Sequence, residues 1–167
     1  DNGFETCLQA QAMARSAGTS VALTLSDPFM VATFKERFVQ LVENGVDVLF
    51  CNEDEANTFA DSSDSTHAIQ RLSQLTSIVC ITRGANGVLI GQNGHSVSVP
   101  AVPVEAVDTN GAGDLFAGGF LYGITHALDV EQAGKIGSYA AAQVVAQYGP
   151  RLQKTLDSVE TILAQFE

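Results

Sequence analysis

Val107–Phe120, VDTNGAGDLFAGGF, runs from a short apolar approach into a glycine-rich turn and, without a break, into a helix. Gly111 and Gly113 can adopt backbone angles closed to other residues. The chain can therefore turn sharply there and leave its N–H groups facing outward into a small concavity. The helix that follows, DLFAGGFLYGITHA, adds the unpaired amides of its first turn and the positive end of its dipole to the same place. A phosphate would sit well in such a site. A carboxylate would not, yet Asp114 stands in it.

Two readings of Asp114 follow. An Asp near a helix start commonly caps the first turn. The surroundings favour chemistry instead: Asp108 and Thr109 place two more oxygen-bearing side chains just before the turn. One turn into the helix come Gly118 and Gly119, each costing roughly 1 kcal/mol of helix propensity. A cap has no need of that cluster.

Outward from this turn, the chain alternates strand and helix patterns. A helix is expected over Phe4–Ala17, stopped at Gly18, and a strand over Ser20–Leu25. Pro28 opens a second helix that closes at Asn44 and Gly45. A strand over Val46–Cys51 ends at Asn52. A short helix, EDEANTFA, follows it, then a serine-rich turn and another helix reaching Leu75. A third strand, Ser77–Ile81, runs into Thr82, Arg83 and Gly84. That alternation is the pattern of a parallel sheet with crossover helices. VLIG and HSVSVP form a hairpin about Asn93-Gly94. Val102–Val107 is expected as a last strand entering the turn. Helices are then expected to Ala127, over Val130–Gln147 and over Leu156–Phe166. Polar groups thus collect after each strand: Asp27, then Asn52 and Glu55, then Thr82–Gly87, then Asp108–Asp114. Open parallel sheets bind ligands along that edge, although Asp27 and Asn52 also suit plain helix caps.

The composition sets limits. Across 167 residues, 46% hydrophobic and 16% charged, there is material for one domain, expected over 1–167. Eight basic against nineteen acidic residues, a net charge of -11, argue against a nucleic-acid surface, which needs a clustered basic face. No apolar run is long enough to span a membrane. Cys7, Cys51 and Cys80 lack metal or CxxC spacing. The expectation is free thiols in a reducing, cytoplasmic compartment. His67, His95 and His126 match no metal spacing. Arg83 is open to a phosphate contact or to a surface ion pair.

Three motifs taken together resemble the ribokinase-like, or PfkB, carbohydrate kinase family, which includes adenosine kinases. The D-T-x-G-A-G-D hallmark is matched by Asp108-Thr109-Asn110-Gly111-Ala112-Gly113-Asp114, the N-x-x-E motif by Asn52-Glu53-Asp54-Glu55, and T-R-G-x-x-G by Thr82-Arg83-Gly84-Ala85-Asn86-Gly87. The resemblance implies an α/β, three-layer ribokinase-like fold with a mainly parallel central sheet flanked by helices. This chain corresponds to its C-terminal portion. The N-terminal half, with its Gly-Gly signature, most sugar-binding residues and a small β lid, is absent.

By the same resemblance, Asp114 is the base that takes the proton from the acceptor hydroxyl, and Gly111, Ala112 and Gly113 form the anion hole. Asn52 and Glu55 act through water on magnesium and the nucleotide phosphates, Glu55 being the metal-facing residue. Thr82, Gly84 and Gly87 line the nucleotide site, and Asp108 and Thr109 support the turn and a monovalent cation such as K+. The implied cofactors are ATP and Mg2+. The implied partner is a sugar or nucleoside, with homodimerisation through the absent lid. The chain alone is expected to be inactive.

Two rivals are weaker. A dinucleotide-binding turn needs Gly or Ala where Phe116 stands, and belongs after the first strand. A non-catalytic nucleotide-binding or regulatory relative of the same fold would have no need of Asp114 beside an intact anion hole.

Overall fold

The computed structural model describes residues 2–167; Asp1 lies outside them. Seven α-helices and five strands are present among the described residues. In order these are α1 (Asn2–Ser16), β1 (Ala22–Thr24), α2 (Pro28–Glu43), β2 (Val48–Asn52), α3 (Glu53–Ala60), α4 (Ser65–Leu72) and β3 (Ile78–Thr82). There follow a 3-10 turn (Gly84–Asn86), β4 (Val88–Gln92), β5 (His95–Val99), α5 (Ala112–Thr125), α6 (Val130–Val145) and α7 (Val159–Ala164). The strands form one sheet in the order β1-β2-β3-β4-β5. It is mixed. β1 and β2 run parallel, with Ala22 opposite Val48 and Thr24 opposite Phe50. The two-residue link at Asn93-Gly94, both at positive φ, folds β4 and β5 into a hairpin.

The chain divides into two compact units, one running to Ile81 and including Gly91–Ser96, the other comprising Thr82–Ile90 and Val97–Glu167. In the first unit β2 and β3 are buried because their residues are apolar on both faces: Leu49, Val79, Cys80 and Ile81 are wholly inaccessible. Helix starts here are set by side chains. The Asp27 carboxylate accepts from the amides of Phe29 (2.8 Å) and Met30 (3.3 Å) at the start of α2, and Asp64 caps α4 in the same way. The Asp27 position expected at a ligand edge is thus a helix cap.

In the second unit Ile136 and Tyr139 of α6 and Ile162 of α7 make an apolar cluster, joined by Leu128 and Leu156. Tyr139 donates to the Asp157 carboxylate at 2.5 Å. The strand expected over Val102–Val107 is not formed. Pro103 removes a ladder donor, and the amides of Val107 and Asp108 donate instead to the carbonyl of Val145 at the end of α6, at 2.9 and 3.2 Å. The turn at Gly111 is therefore hung from α6.

Candidate functional site: the turn before α5

Gly111 is the N-cap of α5, at φ 81° and ψ 0°, and contributes no side-chain cap. A β-carbon there would lie 2.8 Å from the carbonyl oxygen of Pro150 and 2.9 Å from its Cα. Glycine is required twice over, by backbone angle and by space. Asp129 caps α6 and Ser158 caps α7 with side-chain oxygens, so the bare start of α5 contrasts with its neighbours in this unit. The amide of Ala112 donates to Thr109 at 3.2 Å, whereas those of Gly113 and Asp114 have no acceptor among the described residues. Both residues are exposed, and no atom lies within 4 Å of where a Gly113 β-carbon would be. Amides without acceptors at the positive end of a helix suit an anion, and Asp114 is exposed in the same turn.

Asp108 holds the turn in shape. Its two oxygens accept from the amides of Asn110 and Gly149, each at 3.0 Å. Those two amides, Asn110's first, hold its carboxyl below the usual carboxylate range. The clasp fixes the 149–150 backbone against Gly111.

Behind the turn, α5 and α6 approach closely through their small residues. A β-carbon on Gly119 would meet Gly137 Cα at 2.9 Å, one on Gly123 would meet Ala133 at 2.7 Å, and one on Gly137 would meet the Phe116 carbonyl at 2.7 Å. Gly119 is thereby explained by helix packing. Gly118, exposed and with open space beyond it, is not.

The Thr82–Gly87 segment, in the same unit from Thr82 on, is a tight loop: the Arg83 amide donates to Gly87 at 2.8 Å and the Gly87 amide to Gly84 at 3.1 Å. Gly84 and Gly87 both sit at positive φ, and residues 84–86 are exposed. Arg83 meets no carboxylate among the described residues. Its guanidinium donates to the Asn86 carbonyl (3.3 Å) and to Ser98 Oγ (2.9 Å) in place of the surface ion pair considered from the sequence.

In the first unit, Asn52 and Glu55 close on each other. The Glu55 amide donates to Asn52 Oδ1 (2.8 Å), while the Asn52 amide donates to Glu55 Oε2 (2.9 Å) and Asn52 Nδ2 to Glu55 Oε1 (2.7 Å). This is a capping box. Glu55 is buried, at 4% exposure, and its carboxyl is pushed up by desolvation and by the charges of Asp27 and Asp54, against the opposing pull of its bond to Asn52.

The profile described as "pfkB family carbohydrate kinase" matches residues 4–156. The chain belongs to this family of kinases. Among curated relatives, Adenosine kinase 1 of Arabidopsis thaliana is 32% identical over 142 residues, covering 76% of this chain and 41% of that protein. An uncharacterized sugar kinase of Archaeoglobus fulgidus is 37% identical over 91 residues, covering 54% and 36%. Among solved structures, the adenosine kinase of Sinorhizobium meliloti superimposes with a TM-score of 0.86 at 34% identity, over 96% of this chain and 49% of that one. The fold is ribokinase-like. The pfkB chain described here spans about two fifths of the length of the two curated relatives named, 41% and 36%.

Kinases of this kind imply a nucleotide and its divalent ion. No group of three or more His, Cys, Asp or Glu side chains suited to hold a bare ion occurs among the described residues. Glu55 nevertheless fits a hydrated one. It is a buried carboxylate with no basic partner among the described residues, and each oxygen accepts one hydrogen bond and keeps lone-pair capacity for a water.

The pfkB motifs were legible one by one. Their supports were not: Val145, Gly149 and Pro150 shape the Asp108–Gly111 turn, and Ser98 holds Arg83, all through contacts distant in sequence. The only local sign was Gly149-Pro150 itself, which reads as a helix stop.

Proposed function

We propose that this chain is the nucleotide-binding and catalytic part of an ATP-dependent kinase that phosphorylates a hydroxyl of a sugar or nucleoside, with residues 1–167 acting as one functional domain. The observation that carries the proposal is the start of α5, where the free amides of Gly113 and Asp114 stand beside an exposed Asp114 carboxylate. Phosphoryl transfer asks for charge neutralisation on the equatorial oxygens and a destination for the acceptor proton. The turn of Gly111, Ala112 and Gly113 answers the first need as the anion hole, with the amides of Gly113 and Asp114, which have no acceptor among the described residues, receiving the oxygens of the moving group. Asp114 answers the second, accepting the hydroxyl proton at its carboxylate as the new bond forms.

The loop that Gly84 and Gly87 shape, entered from Thr82 and exposed at residues 84–86, presents backbone to the nucleotide. Asn52 orients the Glu55 carboxylate, which would hold a hydrated Mg2+ through its waters. When bound, Mg2+ supplies neutralisation of the nucleotide's phosphate charge. Asp108 and Thr109 hold the turn and offer oxygens to a monovalent cation such as K+. Cys7, Cys51 and Cys80, none of them in a disulfide, suit a reducing, cytoplasmic setting. The acceptor class rests on relatives named as adenosine and sugar kinases.

The test is ATP-dependent phosphate transfer to adenosine, ribose and fructose. By itself the 167-residue chain should bind nucleotide with little turnover, as befits two fifths of its relatives' length. A catalytically active form of the protein should transfer phosphate to one acceptor class. Failure of every form to bind ATP would overturn the reading.

A further inference from the structure

Arg83 is the one cation in the Thr82–Gly87 loop, and three observations show it turned onto the protein. Its terminal nitrogen donates both to the Asn86 carbonyl at 3.3 Å and to Ser98 Oγ at 2.9 Å. Its Nε is closed off from solvent with no acceptor. The loop it belongs to is pressed onto the end of β5, since a β-carbon on Gly87 would lie 2.1 Å from the Val99 carbonyl and 2.8 Å from the Ala101 amide. Gly87 has φ 79° and Gly84 has φ 54°, conformations that glycine adopts without strain and that let the loop turn this tightly.

We infer that Arg83 is a positioning residue for the nucleotide loop: its guanidinium ties the Gly84–Asn86 turn to Ser98 on β5 and does not serve as a phosphate ligand. The inference rests on the reading of Gly84 and Gly87 as nucleotide-binding. Its chemistry is that of a planar fork. Two acceptors, one on the loop and one on the strand, are spanned by a group with donors in fixed directions, so the turn is held at a set distance from β5. A nucleotide meeting the loop that Gly84 and Gly87 shape then finds the exposed backbone of residues 84–86 already ordered, and binding does not have to order it.

The experiment is calorimetric titration of AMP, ADP and a non-hydrolysable ATP analogue into the 167-residue chain and its R83Q, S98A and double variants. Ser98 is exposed, so S98A leaves the fold intact and removes the strand partner while sparing the guanidinium charge. The clasp predicts a loss of roughly three- to tenfold in affinity for R83Q and a smaller loss for S98A. The double variant should be no worse than R83Q, and the loss should be the same for AMP, ADP and the ATP analogue. A loss for R83Q that grows with phosphate number while S98A is silent would make Arg83 a phosphate ligand and overturn the inference. Wild-type binding in all four proteins would overturn it too. If the unaltered chain binds none of the three nucleotides, the nucleotide-site reading itself falls, and the inference with it.

Discussion

Two helices of this chain begin at family motifs rich in carboxylates, and they begin in opposite ways. At α3 the first-turn amide of Glu55 is satisfied by Asn52, and the Glu55 carboxylate turns back onto Asn52, so the motif is closed on itself and Glu55 is buried. At α5 the cap is a glycine with no side chain, two amides are left without acceptors, and Asp114 is exposed. A capping box stabilises the native helix by itself. An uncapped start gives up that stabilisation, of about 0.5–2 kcal/mol, and leaves its amides open to water or a ligand. On the function proposed above, α3 supports and α5 carries the reaction, and each half of that proposal can be broken.

The largest expected effect is at Asp114. Replacing it with Asn in a catalytically active form should lower turnover by about 10²–10⁴-fold, the usual worth of a positioned general base, with ATP affinity unchanged. Steady-state kinetics beside equilibrium nucleotide binding checks it, and unaltered turnover would move the chemistry elsewhere. At α3 no substitution should reproduce that split between turnover and binding.

The glycines of the α5 turn separate shape from access. Gly111→Ala should cost about 2 kcal/mol or more, because a left-handed alanine is strained and its methyl strikes the Pro150 backbone. Gly113→Ala meets open space and should hold or raise the melting temperature, alanine being up to about 1 kcal/mol the better helix former. It should nonetheless weaken ATP binding by intruding on the proposed anion hole. Thermal melts with nucleotide titrations distinguish the two. Gly113→Ala binding ATP like the native chain would show that the open space serves no ligand. At α3 the corresponding change, Asn52→Ala, should cost about 1–2 kcal/mol of stability through the lost cap and the stranded Glu55 carboxylate.

How much of this was legible in the sequence follows from the range of the interactions. α3 was expected at Glu53–Ala60 and is there, because its signals are local: Asn52 three residues before Glu55, and a left-handed stop at Asp61. The hairpin was likewise carried by Asn93-Gly94 alone. β1 shrank from an expected Ser20–Leu25 to Ala22–Thr24, a boundary that register against β2 decides. The strand expected at Val102–Val107 failed because its valines suggested a ladder that Pro103 interrupts and Val145 replaces. Likewise, the Asp108–Gly149 clasp joins residues forty-one positions apart, and no spacing rule in the motif announces Gly149.

The smallest expected effect tests the closed motif through pH. Burial, with Asp27 and Asp54 adding to it, raises the Glu55 carboxyl above its ordinary value, and the bond to Asn52 only partly opposes this. When the folded chain holds a proton that the unfolded chain has already released, stability declines as pH rises from the ordinary carboxylate value of about 4.3 to the raised one, and is flat beyond. Asp108, with its carboxyl held low, works in the opposite sense, so total stability hides the effect. The difference between the native chain and Glu55→Gln isolates it: that gap should shrink by roughly one to a few degrees in melting temperature between pH 4 and pH 7. A gap that widens with pH would mean that the Asn52 bonds outweigh burial and that Glu55 is a plain cap. Repeating the series with Mg2+ and a non-hydrolysable ATP analogue sharpens the point, since positive charge facing the carboxylate through water favours its ionised form and should flatten the slope. A slope unmoved by Mg2+ and nucleotide would leave Glu55 to α3 alone, and the contrast between the two helix starts would then be one of stability against chemistry with no shared ligand.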